Sequence, residues 1–461
     1  MRTKTLPILF FTFWLLTTGK SVAQNQNDSA QISRLYQEAL RHPAAYTWLE
    51  YLCQKIGGRL SGSPQAAAAV EFTHQVMDTL GLDRVYRQEV MVPHWVRGRA
   101  EVGRAISARF GTTDFRVCAL GNSVGTGPGG LLAPIIEVHH FEQLKSLGTA
   151  KVQGRIVFFN TPMNPTYLRT FQAYGETAQY RFNGPSEAAK LGAVGVIVRS
   201  LGSSLDPHPH TGSLGYQLNV PKIPALAIST LDAEELHQLL QKDPGLKFYM
   251  ESHCEMRPDK LSYNVVGEIR GSQYPDEIIV VGGHLDSWDL GEGAHDDGAG
   301  CMQAIEVLRL FKRLNLQPKR TLRAVMYMNE ENGLRGGKRY AELAEETQEK
   351  HIAALESDAG GFSPRSIGIS DDARGFDPYR AWETLFAPYE IRLENGGGGA
   401  DISPLRNQGT VLMGLRPDSQ RYFDYHHTAI DTFDKVNWRE LQLGAATMAA
   451  MIYLLSEYGT P

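Results

Sequence analysis

Ile278 to Gly300 reads IIVVGGHLDSWDLGEGAHDDGAG, a strand signal running straight into a dense group of metal-ligand residue types. The apolar run Ile278–Val281 suits a strand buried on both faces of a sheet. Gly282-Gly283 break it, and His284, Asp286, His295, Asp296 and Asp297 follow within fourteen positions. Imidazoles and carboxylates packed this closely beyond a buried strand point to a metal centre. Gly291, Gly293, Gly298 and Gly300 let backbone approach a ligand with no Cβ in the way.

Downstream of this stretch, strands alternate with helices. Gly298 to Leu314 carries Ala304, Val307, Leu308 and Phe311 on one helical face. Strands are expected at 320–328, 352–357 and 411–415, and helices at 335–347, 376–387 and 437–456. That alternation predicts an α/β fold, with a mostly parallel sheet covered by helices on both faces. Ligands of such sheets bind beyond the carboxyl ends of the strands. There the sequence places His284, Glu330-Glu331, Asp358 and the segment YFDYHH at 422–427. Taken singly, a Glu-Glu pair fits a solvated helix start and Asp296-Asp297 an N-cap. Their joint occurrence at four strand ends of one sheet favours a shared site.

Upstream, Arg2 and Lys4 precede an apolar run from Leu6 to Leu16, and Ser21-Val22-Ala23 follows. This is the pattern of a secretory signal peptide, residues 1–23, and predicts an exported protein, secreted or periplasmic. The run is too short for a comfortable membrane span. Residues 24–30 are polar and read as a disordered mature end. Helices are expected from 32 to 53, divided at Pro43, and after Ser63-Pro64. Residues 31–114 therefore read as the first part of the main domain, and 263–461 as its metal-binding part.

Between them, 115–262 has a different texture, with short β-rich runs separated by Gly and Pro. The runs VQGRIVFF (152–159), GAVGVIV (192–198) and IPALAIS (223–229), with a short helix at 186–191, resemble the protease-associated domain. That resemblance implies an inserted, substrate-shaping module without catalytic residues. Asp206, His208 and His210 in DPHPHTG, interleaved with Pro207 and Pro209, read as a solvated turn.

Composition excludes several classes. The formal charge of −5 becomes −8 once Arg2, Lys4 and Lys20 leave with the leader, so nothing suggests nucleic acid as a partner. No later segment reaches eighteen apolar residues, which predicts no membrane association after leader cleavage. The four cysteines, Cys53, Cys118, Cys254 and Cys301, form no CxxC pair and read as free buried thiols.

The chemistry explains the residue types. Two Zn²⁺ ions about 3.5–4 Å apart need a bridging carboxylate, terminal His and carboxylate ligands, and a base for water. His284-Leu285-Asp286, Asp296-Asp297-Gly298, Asn329-Glu330-Glu331, Glu356-Ser357-Asp358 and His427 before Asp431-Thr432 resemble the ordered motifs of the co-catalytic di-zinc aminopeptidases and glutamate carboxypeptidases. The resemblance implies a zinc exopeptidase fold with two Zn²⁺ per chain. It implies that Asp296 bridges the metals, that His284 and Asp358 complete one site, and that Glu331 and His427 complete the other. Glu330 would be the general base and Asp286 the partner orienting His284. His295 and Asp297 would be non-ligands, and the Asp296–Asp297 peptide is often cis in the family.

Asn395 to Asp401 reads NGGGGAD, with Ala400 where the family commonly has a hydroxyl residue. Asp401 is read as a cap for a helix from Ile402 or as a substrate contact. Tyr422 and Tyr425 are candidates for stabilising an oxyanion, with aromatic packing as the alternative. The implied activity is hydrolysis of dipeptides or short peptides from a free terminus, and a homodimer is compatible with the family. Aminopeptidase, carboxypeptidase and strict dipeptidase all stay open. So do a non-catalytic binding protein and a single-zinc glutaminyl cyclase, although no expected ligand is missing. The desuccinylase class of di-zinc enzymes fits less well, because its bridging Asp lies much further from the HxD motif.

Overall fold

The strand Tyr274–His284 lies inside an eight-stranded sheet whose spatial order explains how distant segments meet. A computed structural model describes the backbone of residues 11–461 and side chains from residue 26 onward. The leader's basic residues Arg2 and Lys4 lie outside the described residues, as do the side chains of its apolar run. The sheet runs Arg84–Val96, Glu255–Ile269, Arg320–Tyr327, Tyr274–His284, Lys350–Glu356, Val411–Pro417, Pro364–Ser370, Arg392–Asn395. Tyr274–His284 is parallel to both its neighbours, and Lys350–Glu356 is parallel to Val411–Pro417. Antiparallel pairings join the first three strands and the Pro364–Ser370 and Val411–Pro417 pair, so the sheet is mixed with a parallel centre.

Alternate residues of the central strand enter different cores, as its pleat requires. Ile279 and Val281 pack with the helices Ala299–Arg313 and Trp438–Tyr458. Ile278 and Val280 pack on the opposite face with Tyr340, Ala341 and Ala344 of helix Arg335–Glu346. The strand is buried on both faces because helices cover both, and its continuous apolar run is the sequence mark of that burial.

Several segments differ from the sequence reading. Residues 26–30 are not disordered but belong to the helix Phe11–Arg41, where buried Asp28 accepts hydrogen bonds from Tyr453 (3.0 Å) and Tyr458 (2.7 Å). A polar composition concealed one acid satisfied by two tyrosines. The helix expected at 376–387 is three short turns, Asp377–Trp382, Glu383–Phe386 and Ala387–Tyr389. Pro378 fits the first turn, but Pro388 removes a backbone donor that a helix continuing to Tyr389 would need. The four cysteines are free and buried. Among the described residues, no helix is long and apolar enough to cross a membrane.

A second eight-stranded sheet forms from residues 102–251, with a parallel centre of Leu131–Val138, Ile156–Phe159, Gly195–Arg199 and Ala225–Ile228. It starts earlier than the boundary read at 115, because Val102–Ser107 pairs with Lys247–Glu251. It also ends before 262, because Glu255–Ile269 belongs to the first sheet. The charges of Arg104 and Asp114 hid the hairpin of Val102–Ser107 with the edge strand Gly111–Phe115. The 206–212 segment is only partly solvated, since His210 and Thr211 are buried. It turns towards the metal-ligand rim of the first sheet.

Candidate metal centre

His284 closes its strand, and the loop behind it is fixed by a single cation. Buried Arg59 donates from Nε to Leu285 O (2.6 Å), from Nη1 to Glu292 O (2.7 Å) and from Nη2 to Gly293 O (2.9 Å). That fan of donors satisfies the carbonyls of an irregular loop and delivers Asp296 to the rim. The Asp296–Asp297 peptide is cis. Asp431 accepts from the amides of His295 (2.8 Å) and Asp296 (3.1 Å), and Asp297 accepts from those of His284 and Gly300 (both 3.0 Å). A Cβ on Gly283 would sit 2.3 Å from Asp297 Oδ2, so glycine is required for that close approach.

Asp296 stands between two donor sets. Its Oδ1 lies 3.1 Å from His284 Nε2, which is also 3.4 Å from Asp358 Oδ1. Its Oδ2 lies 3.2 Å from His427 Nε2, which is also 3.2 Å from Glu331 Oε2. The four expected terminal ligands thus fall in two pairs, one on each oxygen of the expected bridge. His426 also approaches Asp296, at 3.7 Å, and stacks on His427. Only His427 reaches Glu331 as well, which favours it as the donor. Its backbone has φ +63°, a left-handed conformation unusual outside glycine, and that turn aims the ring inward.

Whether these residues suit a cation can be judged from their own polarity. Asp296 Oδ2 is buried and receives no well-aligned hydrogen bond, although His427 Nε2 is close. Asp296, Glu330, Glu331 and Asp358 crowd two imidazoles, and among the described residues no lysine or arginine pairs with them. Four carboxyl groups against two imidazoles leave an excess of acceptors and negative charge in a buried site, which is costly and which bound cations relieve. The donor set, imidazole and carboxylate in two sets sharing one carboxylate, fits a pair of zinc ions.

The electrostatics agree. Burial, only partly offset by His284, holds the Glu330 carboxyl well above its usual range, with Asp358 and Glu331 adding to the effect. Burial and then Asp296 push Glu331 up to about 7. Burial opposes charge on His427, but Glu331 and Asp296 outweigh it and lift the imidazole to about 10. A carboxyl raised in this way is suited to exchange protons near neutrality.

The residues around the ligands divide differently from expectation. Asp286 does not orient His284 through its carboxylate, whose nearest oxygen is 3.9 Å from Nδ1. Its main-chain carbonyl does so instead, accepting from Nδ1 at 3.0 Å. The Asp286 carboxylate accepts from the amides of Asn329 (2.7 Å), Glu330 (3.0 Å) and Glu331 (3.3 Å), so it holds Glu330 and Glu331 in one turn. Asp401 is fully buried, both of its carboxylate oxygens lack a partner, and it caps no helix. Glu356 instead accepts from the amide of Ile402 at 2.9 Å. Tyr422 lines the cleft over the ligands, whereas Tyr425 stacks against His295 and Phe362. His295 and Asp297 face away from the two donor sets, His295 stacking on Phe362 at 4.2 Å.

The cleft has a volume of about 740 Å³ and joins the ligand rim to the second sheet. Arg181 lines it and was missed by sequence reasoning. Its side chain is only 7% exposed, donates to Tyr174 Oη (2.6 Å) and the Thr211 carbonyl (3.5 Å), and leaves Nε without a partner. Among the described residues, those partners are neutral, so the buried guanidinium has no carboxylate. A lone arginine in the stretch TAQYRFNG carries no sequence signal of that kind.

Residues 264–452 match the model of Peptidase family M28. The chain is 35% identical to carboxypeptidase Q of Mus musculus over 416 residues, covering 90% of this chain and 86% of the relative. It superposes on the crystal structure of a peptidase M28 precursor from Shewanella amazonensis SB2B with a TM-score of 0.89 and 35% identity, covering 94% and 97% of the two chains. The zinc aminopeptidase BSAP from Bacillus subtilis has the same fold, with a TM-score of 0.65 at 21% identity over 89% and 94%. The chain therefore belongs to peptidase family M28 and is an enzyme of the hydrolase class.

Proposed function

We propose that the chain is an exported di-zinc exopeptidase that hydrolyses dipeptides or short peptides and reads their free carboxyl end through Arg181. The observation that carries this reading is one cleft bordered by both donor sets of Asp296 and by an unpaired, buried guanidinium. His284 and Asp358 would hold one ion, Glu331 and His427 the other, and Asp296 both. Zinc, when bound, supplies Lewis acidity that acidifies water and polarises the scissile carbonyl. Glu330 accepts a proton from the attacking water and returns it to the leaving amine. Asp286 fixes the Glu330 backbone while this proton moves. Residues of the second sheet's unit form one wall of the cleft, and a recess of this size suits short substrates over folded chains. The secretory leader and the protease-associated character of the second sheet, residues 102–251, belong to the same proposal.

A second reading, aminopeptidase, is favoured by the excess of carboxylates at the ligand end of the cleft, a negative field that suits a substrate ammonium group. A dipeptide series with either end blocked separates the two, with zinc content measured in parallel. Amidation of the carboxyl end is expected to lower kcat/KM about 10- to 100-fold, matching ~1.5–3 kcal/mol for a charge-assisted bond. Arg181→Met should reproduce that loss on free dipeptides and leave amidated ones unchanged. Sensitivity to N-acetylation alone would establish the aminopeptidase instead, and indifference to both blocks would defeat the exopeptidase reading.

A further inference from the structure

We propose that Thr211, a residue of the second sheet's connecting turn, is a positioning residue that orients His427 and so completes the metal centre from outside the main sheet. The proposal rests on the reading of His427 as a ligand. Thr211 clasps His427 at two points. Its amide donates to the His427 carbonyl at 3.0 Å, and its carbonyl lies 3.2 Å from His427 Nδ1. With Nε2 directed at Asp296 and Glu331, Nδ1 carries the proton and donates it to Thr211 O. The first contact holds a backbone in the left-handed region, and the second selects the tautomer that leaves Nε2 free to bind a metal.

The clasp is itself anchored. Thr211 is fully buried, and its hydroxyl donates to Ala119 O at 2.8 Å. Arg97 donates to the same carbonyl at 2.8 Å and to the Thr211 hydroxyl at 3.4 Å, while pairing with Asp289 at 2.7 Å. Asp289 lies in the loop that follows His284, so the anchor reaches both halves of the site. The Thr211 carbonyl also receives Arg181 Nη1, so one main-chain oxygen joins the ligand to the group proposed to read substrate carboxylate. Gly212 permits this, because a Cβ there would lie 2.4 Å from the Arg181 guanidinium.

The test compares Thr211→Val, which removes the hydroxyl at constant shape, with Thr211→Ser, which restores it. Thr447→Val serves as a control, since Thr447 is a buried hydroxyl bonded to Tyr36 in the closing helix, remote from the cleft. Affinity for the second zinc equivalent is measured by chelator competition and metal analysis, alongside kcat and KM. Thr211→Val keeps the carbonyl but frees it from its Ala119 anchor, which should displace the outer partner of the His427 imidazole. Zinc binding should then weaken by as much as the loss of such a partner costs, about 10- to 100-fold. Thr211→Val should show that loss with kcat falling more than KM rises, Thr211→Ser should recover it, and Thr447→Val should change neither. Wild-type zinc affinity in Thr211→Val, or an equal loss in Thr447→Val, would overturn the proposal. If Thr211→Val fails to fold, Thr211→Ala is read by the same criteria. His427→Ala tests the underlying ligand reading separately: two tightly bound zincs in that variant would remove His427 itself from the centre.

Discussion

His284 and His427 face the same carboxylate from opposite sides, yet they are oriented by different parts of the chain. His284 sits at the end of a parallel central strand, and its Nδ1 reaches the carbonyl of Asp286, two residues on. His427 sits in a left-handed turn, and its Nδ1 reaches Thr211, 216 residues away in sequence. The first half of the site is thus local and strand-built, while the second depends on the docking of one sheet against another. Local geometry forms with its own strand, whereas the distant contact exists only when both sheets are folded and seated.

The largest effect is expected at Glu330, held by Asp286 on the His284 side and adjacent in sequence to Glu331 on the His427 side. Glu330→Gln should lower kcat about 10²- to 10⁴-fold with both metals retained, as removal of a general base does. Loss of zinc in that variant would mean that Glu330 is a ligand, and the comparison of two equal halves would fail.

Arg59→Met probes the loop that carries Asp296 away from the local half towards its distant partner. It strips donors from the carbonyls of Leu285, Glu292 and Gly293, all in the loop between His284 and Asp296. Leaving buried acceptors unpaired should cost about 3 kcal/mol or more of stability, read by denaturant unfolding. Unchanged stability would show that the loop needs no clamp.

A smaller effect concerns pH. Burial, followed by neighbouring Asp296 or Asp358, lifts Glu331 and Glu356 from 4.5 to about 7, and burial lifts Asp431 from 3.8 to about 7. His427 is lifted from 6.5 to about 10. In metal-free protein each group binds its proton more tightly folded than unfolded. The resulting stability is complete below the unfolded values and is lost as pH rises through the folded ones. The Tm of chelator-treated protein should therefore fall steadily from about pH 4 to 10, while zinc-loaded protein, whose cations replace those protons, should be flatter. Parallel curves with and without metal would disprove this.

How much of this was readable in advance follows the same division. Apolar runs mark buried strands, and a residue at a strand end inherits its position from that run, so the meeting of His284, Glu330, Glu331 and Asp358 on one rim was legible. Asp296 was legible because its loop is dense in ligand types. His427 was separable from His426 only through its motif spacing, and the geometry supports that choice through Glu331. Arg181 and Thr211 were not legible, because their roles come from contacts made across the two sheets and leave no periodicity. Asp401 misled for a related reason: an acid after a glycine run looks like a cap, but here Glu356 takes the backbone amide that a cap would. Asp286 was placed correctly beside His284, but side-chain alternation could not reveal that its carbonyl makes the contact.

Trp288 gives the joint between the sheets an optical consequence. Its indole is 3% exposed, occupies the space where Gly121 of the second sheet lacks a Cβ, and meets the His427 ring edge-on at 5.8 Å. A Cβ on Gly121 would fall 1.8 Å from that ring, so the two sheets interlock through one aromatic side chain. The part of the emission that Trp288→Phe removes should report both the seating of the second sheet and the state of the imidazole beside it, without an added label.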